Sequence, residues 1–275
     1  MPPIRRVVLL IIDGLRPEAV SPAAMPSLAA LAASGWSCEG RTVRPSATVA
    51  ALASLATGLP PDRHGLTEAH LPPLATLVGV RPLPVVLKRY GHLTRIVTGP
   101  LPAPHRMLGR TLLGLAGVGS LVTAPLSPRE LARVGQREEV RLGASLTIIY
   151  LNDCDRAGHR DGWMSRAYLE AAREIDGAVG ELMLTVLAQD DALLLVTADH
   201  GGGGVAPTDH DMPHPVNDTI PMVAAGTRVI PGRATTEASL LDLPPTILRA
   251  LGVPIPRSYA GRALDLFTDD TAAVA

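Results

Sequence analysis

The sequence predicts an α/β fold of three layers, with a mostly parallel central sheet between two layers of helices. Three observations carry this expectation. Apolar strand-like runs stand at 5–12, 145–151 and 192–198, and the first is an aliphatic run without polar alternation, the pattern of a strand buried on both faces. Helix-like stretches separate those runs, as parallel crossovers require. Each run is followed by acids or histidines, where open α/β sheets bind ligands, just beyond the carboxyl ends of their strands.

The elements follow in order. Residues 5–12 form the first core strand, and 22–34 a helix with Pro22 early and Gly35 just past its end. A strand at 40–45 leads into a small-residue helix at 48–57 that starts at Thr48 and stops at Gly58. The stretch 70–125 is rich in proline and glycine and carries strand-like runs near 83–87 and 93–98. It reads as irregular connections or as an insertion, spanning about 70–140, within a single domain covering 1–275. A charged, exposed helix is expected at 128–142, a strand at 145–151 and an amphipathic helix at about 163–188. After the strand at 192–198, Gly201 to Gly204 read as a flexible loop, 220–225 as a strand, and 239–251 as the last helix, ended by Gly252 and Pro254. No internal repeat and no linker divides the chain.

Bulk properties narrow the function classes. With 275 residues, 47% of them hydrophobic, a sizeable core can be buried. A net charge of −1 argues against general nucleic-acid binding through a basic face. Lys88 is the only lysine, a compositional bias toward arginine. Cys38 and Cys154 make no disulfide framework, so a reduced, cytoplasmic compartment is expected. Cys154 reads as a buried structural thiol beside Asp155. The apolar run after Arg5 and Arg6 is interrupted by Asp13 and lacks a small-residue cleavage site, so it reads as a strand and not a signal peptide. No uninterrupted apolar stretch is long enough to span a bilayer.

The chemistry lies at the strand ends. Asp13 closes the run Val7 to Ile12; Asp155 and His159 follow Leu151; Asp199 and His200 follow Thr197. One Asp-His pair has an ordinary reading as turn or cap. Two pairs after successive strands, with Asp13 at a third, read as a metal site, because carboxylates and imidazoles suit zinc or manganese. Thr48 sits at a helix N-terminus, where unpaired N–H groups favour an anion. Beside metals its hydroxyl becomes a candidate nucleophile. Ser46 and Ser54 are rival hydroxyls; Ser46 precedes the helix, and Ser54 lies further along it. His64 reads as structural. His70, His92 and His105 fall in the least legible stretch and receive no role.

Taken in order, these segments resemble the alkaline phosphatase superfamily, especially its nucleotide pyrophosphatase/phosphodiesterase branch. Arg44-Pro45-Ser46-Ala47-Thr48, with Leu55 to Gly65 after it, is similar to the branch's nucleophile segment, its threonine falling at Thr48. Val7 to Gly14, Tyr150 to His159 and Ala198 to Gly201 resemble its three metal segments. Leu241 to Leu248 and Gly261 to Leu264 resemble the superfamily's closing helix and tail. The resemblance implies an alkaline-phosphatase-like sandwich and two divalent ions, usually zinc, with manganese as the alternative. One ion would be held by Asp155, His159 and a later histidine, His210 or alternatively His214; the other by Asp13, Thr48, Asp199 and His200. It further implies a phosphodiesterase or pyrophosphatase acting on a small-molecule phosphate ester through a phosphothreonine on Thr48. A phosphomonoesterase is the alternative, and a non-catalytic binding protein of the same fold is a third. The branch commonly has Phe-Pro-Asn after its threonine, where Val49, Ala50 and Ala51 stand here. That removes an expected donor to the phosphate. A sulfatase is disfavoured, because its modified cysteine or serine has no counterpart at Thr48. The metal-dependent phosphoglycerate mutases use serine and carry a large inserted domain. Oligomeric state is not legible.

Overall fold

The computed structural model describes residues 3–67, 79–100, 113–114, 116–232 and 238–267. Its frame is one eight-stranded sheet of β1 (Arg6–Ile12), β2 (Trp36–Arg41), β3 (Thr94–Thr98), β4 (Ser120–Thr123), β5 (Leu146–Leu151), β6 (Ala192–Thr197), β7 (Thr219–Gly226) and β8 (Ala238–Ser239). Their spatial order is β4-β3-β5-β1-β6-β7-β2-β8. The five strands from β4 to β6 run parallel, whereas β7 is antiparallel to both β6 and β2. The expected three-layer α/β sandwich is therefore the observed architecture.

β1 lies at the centre, and Val7 to Ile12 are buried. An aliphatic side chain buried this completely stabilises the fold by about 1.5–3 kcal/mol, so Leu10→Ala would cost about 2–5 kcal/mol. On one face, α1 (Pro26–Ser34), α5 (Pro128–Leu142) and α6 (Asp153–Asp161) pack around the long α7 (Arg166–Val186). α7 buries Ala172, Ile175, Val179, Leu182 and Val186, a stripe at helical spacing. It also fixes α1, since buried Asp176 accepts the first-turn N–H groups of Ser27 and Leu28, each at 2.9 Å. On the opposite face, α2 (Thr48–Thr57) packs against α3 (Pro61–His64), α4 (Leu83–Arg89) and α9 (Leu243–Ala250). The remaining helix, α8 (Pro215–Asp218), is a single turn before β7.

Several elements depart from the sequence reading. Residues 83–89 are helical, not a strand, and buried Leu83, Pro84, Val86 and Leu87 lie on one helical face. β2 falls at 36–41 instead of 40–45, because its register is set by pairing with β7 and β8. α5 is not wholly exposed; Leu131, Ala132 and Gln136 are buried. The helix expected at 22–34 begins at Pro26. Gly201 to Gly204 form a packed run and not a flexible loop. A Cβ on Gly201 would lie 2.0 Å from the Val216 carbonyl oxygen, and one on Gly202 2.1 Å from the Trp163 indole. His70 and His105 lie outside the described residues. Among those described, no helix is long and apolar enough to cross a membrane.

Candidate metal centre

The central strands end level with one another. Ile12 pairs with Leu151, and Ile11 with Thr197, so Asp13 and the segments after β5 and β6 leave the sheet side by side. Gly14 makes the junction close. Its φ is +68°, and a Cβ there would sit 3.0 Å from Asp155 Cα, so a side chain would meet both strain and α6. The Gly14 N–H donates to Asp199 Oδ1 (3.2 Å), and its carbonyl accepts from Trp163 Nε1 and the Tyr168 hydroxyl, both at 2.9 Å. The Asp155 N–H donates to the Asp13 carbonyl (3.1 Å). Asp155 and His159 stand one turn apart on α6 and not on an open loop.

This convergence makes two overlapping groups whose ligand atoms all lie within 4.8 Å of one another: Asp13, Asp199 and His200; and Asp155, His200 and His210. In the first, His200 Nε2 is 3.3 Å from Asp13 Oδ1 and 3.8 Å from Asp199 Oδ2. Thr48 Oγ1 joins it, 3.1 Å from His200 Nε2 and 3.5 Å from Asp13 Oδ1. In the second, His210 Nε2 is 3.9 Å from Asp155 Oδ1. His159 Nε2 lies 3.4 Å from the same oxygen, on the exposed side of the site. His214 belongs to neither group. It caps α8, its Nδ1 accepting from the Val216 N–H (3.3 Å).

The three imidazoles share one arrangement. Nδ1 of His159, His200 and His210 faces the backbone carbonyl of Thr208 (3.0 Å), Gly201 (2.7 Å) and Ser46 (2.9 Å) respectively. A carbonyl accepts only, so each Nδ1 carries a proton, and in the neutral ring Nε2 then holds the lone pair, turned toward the carboxylates. That is the tautomer and support a ligating histidine needs. Two carboxylate oxygens, Asp155 Oδ1 and Asp199 Oδ2, are buried and accept no hydrogen bond, an unfavourable state without a positive partner. Tetrahedral ligands about 2.0–2.1 Å from a zinc ion stand about 3.3 Å apart, close to several separations found here. The residues therefore fit divalent cations.

Burial and like charge shape the acids. Burial first, and then the neighbouring Asp199 and Asp155, raise Asp13 well above the usual carboxylate range. Asp199 is pushed up to about 7, mainly by burial. Burial, and then the nearby His200, lower His210. All three shifts disfavour separated charge in the ion-free site.

Thr48 is the first residue of α2, preceded by extended Ala47, and no side chain caps that helix. The rival hydroxyls have other tasks. Ser46 donates to Asp218 Oδ1 (3.0 Å), and the same carboxylate holds the Arg44 guanidinium. Ser54 is buried against His64 Nε2 (3.0 Å), and His64 Nδ1 accepts the Leu66 N–H (3.0 Å). That pair ties α2 to the segment after it. Ala51 is fully buried, so its methyl faces the core.

Sequence reasoning gave no role to Tyr150, Trp163 or Asp218. The Tyr150 hydroxyl donates to Asp13 Oδ2. Trp163 sets its indole edge-on to His159 and His210, at centroid distances of 5.0 and 5.7 Å. Tyr150 stands next to last in β5, paired with Ile11 two residues before Asp13.

The profile of the type I phosphodiesterase/nucleotide pyrophosphatase family matches residues 7–72 and 124–244. The chain belongs to that family. Structural comparison agrees on the fold. Human ectonucleotide pyrophosphatase/phosphodiesterase 5 superposes with a TM-score of 0.74 over 96% of this chain and 100% of its own, at 13% identity. An alkaline phosphatase superfamily protein from Vibrio parahaemolyticus gives 0.69 over 95% and 70%, at 18% identity. Among curated sequences, a 2,3-bisphosphoglycerate-independent phosphoglycerate mutase from Cyanothece sp. is 31% identical over 189 residues, 64% of this chain and 35% of the mutase. The mutase from Rippkaea orientalis is 28% identical over 187 residues, with the same coverage. The chain thus spans about a third of the length of the curated relatives it matches.

Proposed function

We propose that the chain is a metal-dependent phosphohydrolase that cleaves phosphodiester or pyrophosphate bonds in a small-molecule substrate, with Thr48 as nucleophile. Asp13, Asp199, His200 and Thr48 would hold one divalent ion, and Asp155, His159 and His210 a second, zinc being the best match to mixed nitrogen and oxygen donors. Bound there, the ions would neutralise phosphate charge and lower the pKa of the attacking hydroxyl and of water.

Thr48 Oγ1 forms a bond to phosphorus as the bridging oxygen opposite it leaves and takes up the proton that Thr48 gives up, so the products are a phosphothreonine and an alcohol or, from a pyrophosphate, a phosphate. Water then attacks the phosphothreonine in line; its oxygen stays on phosphorus and Thr48 regains its proton. The uncapped first turn of α2 directs N–H groups at the phosphate. Tyr150 holds Asp13 in place through Oδ2, and the Ser46 carbonyl holds the ring of His210. Ser46 itself faces Asp218, which argues against a serine nucleophile of the mutase kind.

The observation that carries the reading is the common Nδ1-to-carbonyl arrangement of three histidines around two buried carboxylate oxygens, Asp155 Oδ1 and Asp199 Oδ2, that accept no hydrogen bond. One feature favours monoesters as the second reading: buried Ala51 leaves the phosphate without the amide donor that the branch commonly supplies. The test is turnover of bis-p-nitrophenyl phosphate and p-nitrophenyl phosphate with added zinc or manganese, with Thr48→Ala as control. Faster diester turnover that disappears in the variant is the expected result. Faster monoester turnover would select the second reading, and metal-independent turnover, or none, would sink both.

A further inference from the structure

An apolar cavity of about 220 Å³ lies against the metal centre, between α2 and the sheet. Its floor is built by the strands that deliver the ligands. The pleat of β1 puts Leu9, Ile11 and Asp13 on one side, and Leu9 and Ile11 line the cavity. Ile148 and Tyr150 alternate in the same way on β5. The Tyr150 ring lines the cavity while its hydroxyl reaches Asp13. The wall is built by the nucleophile's own helix. Leu52, Leu55 and Ala56 line the cavity, and they stand four, seven and eight residues after Thr48, on one helical stripe with it. The cavity therefore neighbours the site through Tyr150 and the helix of the reacting hydroxyl, beginning one helical turn from it.

Its chemistry is uniform. Among the described residues, every lining side chain but Thr98 and the Tyr150 hydroxyl is a hydrocarbon. Against these described walls a sugar, a charged group or the hydrogen-bonding edge of a base would be buried largely without partners. We propose that the cavity is a substrate subsite for a hydrocarbon arm, so that the preferred substrate is a phosphate ester carrying an alkyl, acyl, prenyl or aryl group. This rests on the hydrolase reading above. A cavity of about 150 Å³ takes a benzene ring. The space here, about 220 Å³, scales to roughly eight or nine carbons.

A homologous series tests this, with p-nitrophenyl methyl, butyl, octyl and dodecyl phosphates assayed with zinc below their micelle concentrations. The expected kcat/KM rises with chain length, by up to about fourfold per methylene, and levels off near eight or nine carbons. Ala56→Phe, which fills the wall of the cavity, should lower the octyl-to-methyl ratio at least tenfold. Leu121→Phe, from β4, repeats the test should the first variant fail to fold. A flat series in the native chain, or an unchanged ratio in a folded variant, overturns the proposal. If no ester is turned over, the hydrolase reading has failed instead, and the cavity is then read without catalysis. Propylbenzene, a nine-carbon hydrocarbon of about the size the cavity takes, should bind the metal-free chain by calorimetry and lose at least tenfold in affinity in a folded filling variant. No binding, or equal binding, refutes the subsite.

Discussion

Replacing Asp199 by asparagine should stabilise the metal-free protein while weakening its hold on metal. Asp199 Oδ1 accepts the N–H groups of Gly14 and His200, and an asparagine carbonyl keeps both bonds. Oδ2 is buried and accepts none. Burial raises the acid to about 7 from an ordinary 3.8, so the folded chain holds this proton more tightly than the unfolded chain does. The contribution to stability is complete below about pH 4 and is lost as pH rises through about 7. A shift of about three units corresponds to a ceiling of about 4 kcal/mol at pH 8. For a chain of this size that is roughly 8–16 °C in Tm. The assay is thermal unfolding in EDTA at pH 5 and pH 8, repeated with excess zinc. In EDTA at pH 8 the Asn variant should melt above the native chain, with a much smaller gap at pH 5. With zinc the order should reverse, because the native chain gains binding free energy that the variant lacks. A variant less stable than the native chain in EDTA at pH 8, or a gap that ignores pH, would refute the argument.

Thr48→Ala should lower phosphoester turnover by at least about a thousandfold while zinc still raises Tm, because the carboxylates and imidazoles stay in place; loss of the zinc effect as well would make Thr48 a principal ligand. Tyr150→Phe removes the only side-chain donor to Asp13 Oδ2 among the described residues and should weaken zinc affinity about 10–100-fold, read by competition with a chelating dye. Asp176→Ala strips two backbone N–H groups of α1 of their acceptor and should cost about 2–3 kcal/mol in urea unfolding, with turnover at 20 °C unchanged. His64→Ala, which unties α2 from the segment after it, should likewise lower Tm and leave the diester-to-monoester preference as it was.

The parallel strands were legible because burial on both faces leaves no room for polar residues. β1 and β6 carry unbroken aliphatic runs, and β5 interrupts its own only with Thr147 and Tyr150. β2 was misplaced because Trp-Ser-Cys-Glu-Gly-Arg alternates weakly and takes its position from its partners. α4 was misread because β-branched Val85 and Val86 suggest a strand, whereas prolines at its start are ordinary in a first helical turn. The acids and histidines at the strand ends were visible as a set. Their grouping came from the family resemblance and not from spacing, because which donor atoms meet depends on backbone carbonyls supplied by residues as distant as Ser46 and Thr208. Asp155 and His159 carried an unused hint, as a spacing of four puts two side chains on one face of a helix. Tyr150 has no sequence mark that separates a supporting hydroxyl from one more aromatic in a strand.

The Ser46 carbonyl fastens His210 two residues before Thr48, so nucleophile and imidazole hang from a single short span of main chain. Reshaping that span to suit a different ester would also rotate a ring needed for cation capture. Specificity is therefore easier to alter from the far wall of the site than from the loop that delivers the attacking oxygen.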